Sequence, residues 1–221
     1  MKDERHVLMI FPHPDDETFS SAGTIANYIE NGVPVTYACL TLGQMGRNLA
    51  NPPFATRESL PYIREKELED AMKVIGITDL RKMGLRDKTV EFEPHEQMDD
   101  MVKTLIEETN PSVIISFYPK FAVHPDHEAT AEAVVRTVGR MPKEERPRLQ
   151  LVAFSNDAPD ILGEPDILND ISQYKEIKLK AFEAHKSQTA PFLKQLASPE
   201  VGGETQSFLE VEPYWTYRFD N

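Results

Sequence analysis

The sequence predicts an α/β fold, a Rossmann-like three-layer sandwich around a mostly parallel sheet with strand order 3-2-1-4-5. Three observations predict it. Short apolar runs alternate with longer amphipathic segments through residue 155, the pattern of successive βαβ units. The runs Val7 to Phe11 and Val113 to Tyr118 are continuously apolar, as strands covered on both faces require. The longer segments stop at Asn31-Gly32, at Gly76 and before Pro111, residues that accept left-handed backbone or cannot continue a helix.

Val7 to Phe11 is the first strand, and a helix runs from about Thr18 to Glu30. Val35 to Leu42 is the second strand. A polar loop with Gly43, Gly46, Pro52 and Pro53 then leads into a helix from about Arg57 or Tyr62 to Ile75. Leu80 to Met83 is a short third strand. Met98, Met101, Val102, Leu105 and Ile106 recur at helical spacing between His95 and Thr109. Val113 to Tyr118 is the fourth strand, Pro125 to Val138 the next helix and Leu149 to Phe154 the fifth strand. Beyond it, Ile171 to His185 reads as one helix, and Thr205 to Phe219 as one or two terminal strands carrying Tyr214, Trp215 and Tyr217. The chain reads as a single domain over 1–221, with βαβ units in 1–155 and 156–221 completing it. No internal repeat, low-complexity tract or flexible linker interrupts it.

With 221 residues, 40% of them hydrophobic, the chain can bury one sizeable core but would be cramped as two domains. Acidic residues outnumber basic ones by 37 to 24, for a net charge of −13, which argues against nucleic acid as a partner. The opening residues are charged and the first apolar run stops at Phe11, far short of the ~20 residues of a membrane span. No secretion signal precedes it. The single cysteine, Cys39, excludes an intrachain disulfide and a Cys-rich zinc site, and fits a reducing cytoplasm. Its place in an apolar strand suits a small buried hydrophobe. A metal here must use His and carboxylate ligands.

Two strings carry the chemistry. His13-Pro14-Asp15-Asp16-Glu17 follows the first strand and His124-Pro125-Asp126-His127 follows the fourth. In the predicted strand order these strands are neighbours at the switch point, so both strings face one crevice at the carboxyl edge. Catalytic zinc takes three N or O ligands and keeps a position for water. His13 and Asp16, three apart at a helix start, with His127 from the neighbouring loop, supply such a set. The cation would lower the pKa of bound water from ~15.7 towards ~7. Asp15, beside a ligand, is placed to act as general base. His124, if protonated, is placed to donate to a developing oxyanion, and Asp126 to orient His124 and favour its charged form.

Either string alone also suits a helix N-terminus, where Asp caps and acidic groups meet the helix dipole. Their convergence favours a site. Glu17 reads equally as a substrate-binding group or a first-turn residue. His185 suits a cap on helical carbonyls, and His6 and His95 carry no signal. The turn after the first strand lacks the G-x-G-x-x-G of a dinucleotide site. Two other classes stay open: a non-haem iron oxygenase, which uses the same ligand types, and a sugar-binding protein with a metal but no turnover.

On these residues the sequence resembles the PIG-L/LmbE-like family of zinc-dependent N-acetylglucosaminyl deacetylases, whose signature pairs an HPDDE-type string with a later HPDH-type string. The likeness extends to Gly23-Thr24, Thr41-x-Gly43, Arg64-x-x-Glu67-Leu68 with Ala71 and Gly76, and Asp170-Ile171-Ser172 through Ser187-Gln188. It implies zinc, or iron(II) in its place, on His13, Asp16 and His127, with Asp15 as base, His124 at the oxyanion and Arg64 near the substrate. Gln44 departs from the family's usual Glu, and the stretch Ala50 to Phe54 carries two prolines. Within the family the chain is most similar to the bacillithiol branch, which implies a small N-acyl amino sugar, N-acetylglucosaminyl-malate, as substrate. That branch also includes amidases of bacillithiol conjugates. Arg47, Arg57 and Arg64 suit a malate-like dicarboxylate, or are surface charges and helix ion pairs such as Arg64 with Glu67. Assembly into a homo-oligomer is in keeping with the family.

Overall fold

The structure, a computed structural model, describes residues 3–198 and 207–219. In chain order it runs β1 (Val7–Phe11), α1 (Asp16–Glu30), β2 (Val35–Cys39), α2 (Leu60–Ile75), β3 (Asp79–Lys82), α3 (His95–Thr109), β4 (Val113–Phe117), α4 (Pro125–Gly139), β5 (Arg148–Val152), α5 (Ala158–Leu162), β6 (Ile167–Asp170), α6 (Lys175–Ala184), α7 (Lys186–Leu196) and β7 (Val211–Thr216). The sheet order is β3-β2-β1-β4-β5-β7-β6. The first five strands are parallel, in the order the sequence predicts. β7 then adds antiparallel to β5, and β6 antiparallel to β7.

Every residue of β1, β2 and β4 is buried, which is why these strands read as nearly continuous apolar runs, with only Thr36 and Ser116 polar. Alternate residues serve the two faces. Val7, Met9 and Phe11 pack with Ile25 of α1, Leu68 and Met72 of α2 and Ala181 of α6. Leu8 and Ile10 pack with Val102 and Leu105 of α3 and Val134 of α4. Gly76 closes α2 with φ 97 as expected, and α3, expected to stop before Pro111, closes on Asn110 with φ 45. Among the described residues no helix is long and apolar enough to cross a membrane.

The chain beyond β5 is richer than the sequence suggests. No element was expected over 156–170, yet α5 and β6 lie there. α5 has five residues, too few for periodicity to register, and β6 is a short edge strand with Leu168 exposed. The single helix expected to His185 is a 3-10 turn at Ser172–Tyr174 and α6, after which His185 bends the chain into α7. Polar Ser187, Gln188 and Thr189 disguised that last helix. Of the strands expected over Thr205 to Phe219, Thr205 and Gln206 lie outside the described residues, and β7 stands alone in the described remainder.

α1 is tied to the late elements by buried polar groups. Gly23 N and Thr24 N donate to the Glu212 carboxylate of β7 at 3.0 and 2.7 Å. Phe19 O and Ser20 O, the ordinary acceptors for those N–H groups in a helix, receive Lys178 Nζ at 3.4 Å and Tyr214 OH at 3.1 Å.

Candidate metal and catalytic site

β1 and β4 are hydrogen-bonded neighbours, so the two strings meet at the carboxyl edge of the sheet. His13 Nδ1 lies 3.1 Å from His127 Nε2 and 3.5 Å from Asp16 Oδ2. His127 Nε2 lies 3.3 Å from Asp16 Oδ1. Ligand atoms bonded at ~2.0–2.1 Å around a tetrahedral ion are about 3.3 Å apart, so the three side chains match one coordination face. The ring protons agree. His127 Nδ1 is 3.0 Å from Ala122 O and donates there, leaving the Nε2 lone pair towards the cluster. His13 Nε2 is 3.1 Å from Asp126 Oδ2 and 3.3 Å from Asp87 Oδ1 and donates to them, leaving Nδ1 free. Two lone pairs thus converge beside a carboxylate, an arrangement that a divalent cation satisfies.

The electrostatics favour positive charge at this point. Burial opposes a charge on His13, yet Asp126, Asp16 and Asp87 raise its pKa well above the ordinary value. Asp16 is held far below the usual carboxylate range by His127 and His13 in spite of its burial. Phe117 stacks on His127 at 4.1 Å between ring centroids and fixes its plane. His124 joins His13 and His127 in a further group of possible ligands, as Asp87 and Asp126 join His13.

Asp15 occupies the turn into α1 with φ 103 and ψ −25. It caps the helix through its backbone, its carbonyl accepting Thr18 N at 2.9 Å and Phe19 N at 3.0 Å. The side chain makes no cap bond and is 16% exposed, free to face a reactant. Burial, with Asp16 and Glu17 adding to it, pushes the Asp15 carboxyl up to about 6 against the opposing pull of Arg64 and His185.

Several sequence expectations need correction. Asp126 does not orient His124. As the second residue of α4 its carboxylate turns inward, fully buried, and accepts Lys88 N at 2.7 Å, Val90 N at 3.2 Å and His13 Nε2. His124 is the N-cap of α4, its Nδ1 accepting Asp126 N at 3.2 Å. That bond puts the ring proton on Nε2. Burial, with His13 and His127 beside it, lowers the His124 pKa, so the ring is a neutral donor and not the charged one expected.

Arg64 is 4% exposed. Its Nη2 donates to Pro14 O and to Asp15 Oδ2 at 3.3 Å, and its Nη1 to Gly43 O at 3.2 Å. It braces Asp15 and does not stand open to a substrate. It is also not paired with Glu67, whose carboxylate accepts Ser187 N and Oγ. Glu17 is fully buried and likewise shut off from substrate. Arg47 is exposed, and among the described residues its side chain makes no contact with the cluster. Cys39 is buried and burial pushes its thiol far up, as its apolar strand led one to expect.

Sequence reasoning missed Asp87 and the true partner of His185. Asp87 follows β3 on the same sheet edge, and that position was the available signal. It is buried and accepts Met45 N at 2.7 Å besides facing His13. His185 Nε2 lies 2.6 Å from Glu17 Oε1, a contact across 168 positions that no local pattern announces.

Gly43 is required where it stands. It has φ +62, and a Cβ there would fall 1.8 Å from Arg64 Nη1. The guanidinium cannot retreat without releasing Pro14, Asp15 and Gly43 itself. Gly43→Ala is therefore expected to destabilise the protein by about 1–3 kcal/mol. A denaturant midpoint matching the parent's would contradict that packing.

Comparison with known proteins gives the family. Residues 8–138 match the family model PIG-L, described as GlcNAc-PI de-N-acetylase. The chain is 51% identical to a probable N-acetyl-alpha-D-glucosaminyl L-malate deacetylase 2 of Bacillus anthracis, over 99% of this chain and 98% of the relative. It is 46% identical to the protein of the same description from Bacillus subtilis strain 168, over 99% and 100%. Among solved structures, the N,N'-diacetylchitobiose deacetylase of Pyrococcus horikoshii superposes with a TM-score of 0.72 at 26% identity, covering 98% of this chain and 85% of that one. A 4-carboxy-2-hydroxymuconate hydratase of Pseudomonas putida KT2440 superposes with a TM-score of 0.71 at 14% identity, over 98% of both chains. That likeness shows the fold alone.

Proposed function

The chain belongs to the PIG-L family of de-N-acetylases, and on that premise we propose that it is a zinc-dependent amide hydrolase removing the acetyl group of N-acetylglucosaminyl-malate, in bacillithiol biosynthesis in the cytoplasm. Zinc is the cation best suited to two imidazoles and a carboxylate in a tetrahedral set, with iron(II) the metal that would share it. The observation that carries the reading is the convergence of His13 Nδ1, His127 Nε2 and the Asp16 carboxylate beside a second carboxylate, Asp15, that binds no cap. A structural metal has no need of that neighbour.

The cation bound there supplies polarisation of the amide carbonyl and acidification of water. The Asp15 carboxylate accepts the proton of the attacking water and returns it to the departing sugar amine. Arg64 holds that carboxylate from behind, through Asp15 Oδ2 and Pro14 O. His124, with its proton on Nε2, donates to the acetyl oxygen as that oxygen gains charge. Asp126 and Asp87 hold the His13 proton on Nε2 and so keep Nδ1 a ligand.

The shared fold of a hydratase shows that architecture does not select the reaction. The test is an assay of released acetate on N-acetylglucosaminyl-malate and simpler N-acetylglucosamine derivatives, and of the freed sugar amine on bacillithiol conjugates, with and without chelator. The malate compound is expected to turn over fastest. Chelation should take the rate to background and added zinc should restore it. Acetate release that survives removal of metal, or none from any of these compounds, sinks the proposal.

A further inference from the structure

Behind the reacting face, a buried series of hydrogen bonds ends on the backbone of Asp15. The left-handed conformation of Asp15 costs a residue with a side chain about 1–3 kcal/mol and persists only where its surroundings impose it. Glu17 Oε2 imposes it directly, accepting Asp15 N at 3.0 Å. The Glu17 carboxylate is itself fixed on three sides. Thr18 Oγ1 donates at 2.7 Å, Tyr37 OH at 3.2 Å and His185 Nε2 at 2.6 Å.

His185 is anchored in turn. It stands at the bend between α6 and α7, its carbonyl accepting Gln188 N at 2.9 Å and Thr189 N at 3.0 Å. Both Glu17 and His185 have fully buried side chains, so neither meets a reactant. A first-turn Glu serving only the helix dipole would need no such partners. Its bond to the backbone N–H of Asp15, the base itself, is a positioning contact.

We infer that His185, acting through Glu17, is a positioning residue for Asp15, setting the left-handed turn that aims the Asp15 carboxylate. This rests on Asp15 being the base in the proposed reaction. The pair governs turnover, while the metal and the substrate are held by other residues. Misplacing a reacting group by ~1 Å is worth up to about 10²-fold in rate.

The experiment compares His185→Leu and His185→Gln of the full chain, each in the parent and in the Asp15→Asn background. It measures kcat and KM for acetate release together with bound metal. His185→Leu is expected to lower kcat by about 10–100-fold with KM and metal content within about twofold of the parent. His185→Gln, whose amide N–H can still donate to Glu17, should recover most of that rate. In the Asp15→Asn background, His185→Leu should remove less than about twofold more, because the group it aims is already disabled.

A kcat near the parent's, equal losses in both backgrounds, or loss of metal overturns the inference. Should the leucine variant not fold, Glu17→Gln in the same two backgrounds reads the same coupling, and additive losses again overturn it. An Asp15→Asn protein with full turnover overturns the base assignment and this inference together, whereas a slow Asp15→Asn with additive His185 losses removes this inference alone.

Discussion

Asp15→Asn is expected to keep its metal and lose about 10²–10⁴ in kcat, the usual contribution of a positioned acid–base group. The amide has the carboxylate's shape and its oxygen can still accept from Arg64 Nη2, 3.3 Å away in the parent. His13, Asp16 and His127 do not depend on the Asp15 side chain for their mutual contacts, so bound metal should stay at the parent level. What disappears is the capacity to take a proton. Burial raises the Asp15 carboxyl to about 6, with Arg64 drawing it down and Asp16 pushing it up. A base works only when unprotonated, so the parent's kcat/KM should fall as the pH drops through about 6 and below. A cation bound beside Asp15 moves this limb lower, never higher. The residual rate of Asp15→Asn should lack the limb. A variant within tenfold of the parent, or one that has shed its metal, would count against the assignment.

The first five strands and their order were legible because burial on both faces leaves β1, β2 and β4 almost wholly apolar, with the small hydroxyl residues Thr36 and Ser116 the exceptions. Once that order was in hand, the convergence of His13, Asp16 and His127 followed from the switch-point geometry. The identity of each side chain's partner did not follow. Asp126 adjoins His124 in sequence, yet the start of α4 sends its carboxylate to His13 and leaves His124 to cap the helix. Arg64 looked like a substrate group because the family resemblance placed it there and a guanidinium pairs well with a dicarboxylate. Its burial depends on the missing Cβ of Gly43, and to a lesser degree on that of Gly46, which leave the guanidinium room. Glu17 and His185 meet only because α6 and α7 fold back over α1, and that depends on a polar helix with no apolar periodicity to announce it.

The same distance in sequence hides the largest expected change in stability, that of Lys178→Met. Lys178 Nζ lies 2.9 Å from Glu212 Oε1, with each side chain 1% exposed, and 4.3 Å from the centre of the Phe208 ring. Glu212 keeps Gly23 N and Thr24 N as donors, but these dipoles cannot replace an opposite charge in a dry interior. Removing one member of a buried pair costs about 3–5 kcal/mol, or roughly 6–20 °C in melting temperature for a domain of this size. Lys178→Met combined with Glu212→Gln should recover part of that loss, since the stranded charge is then gone while the amide oxygen still accepts from α1. Folded Lys178→Met protein should turn over within about twofold of the parent, because Lys178 meets α1 at Phe19 O and touches none of His13, Asp15, Asp16, Glu17 or His127. A loss below about 1 kcal/mol by denaturant titration would mean that water reaches the pair.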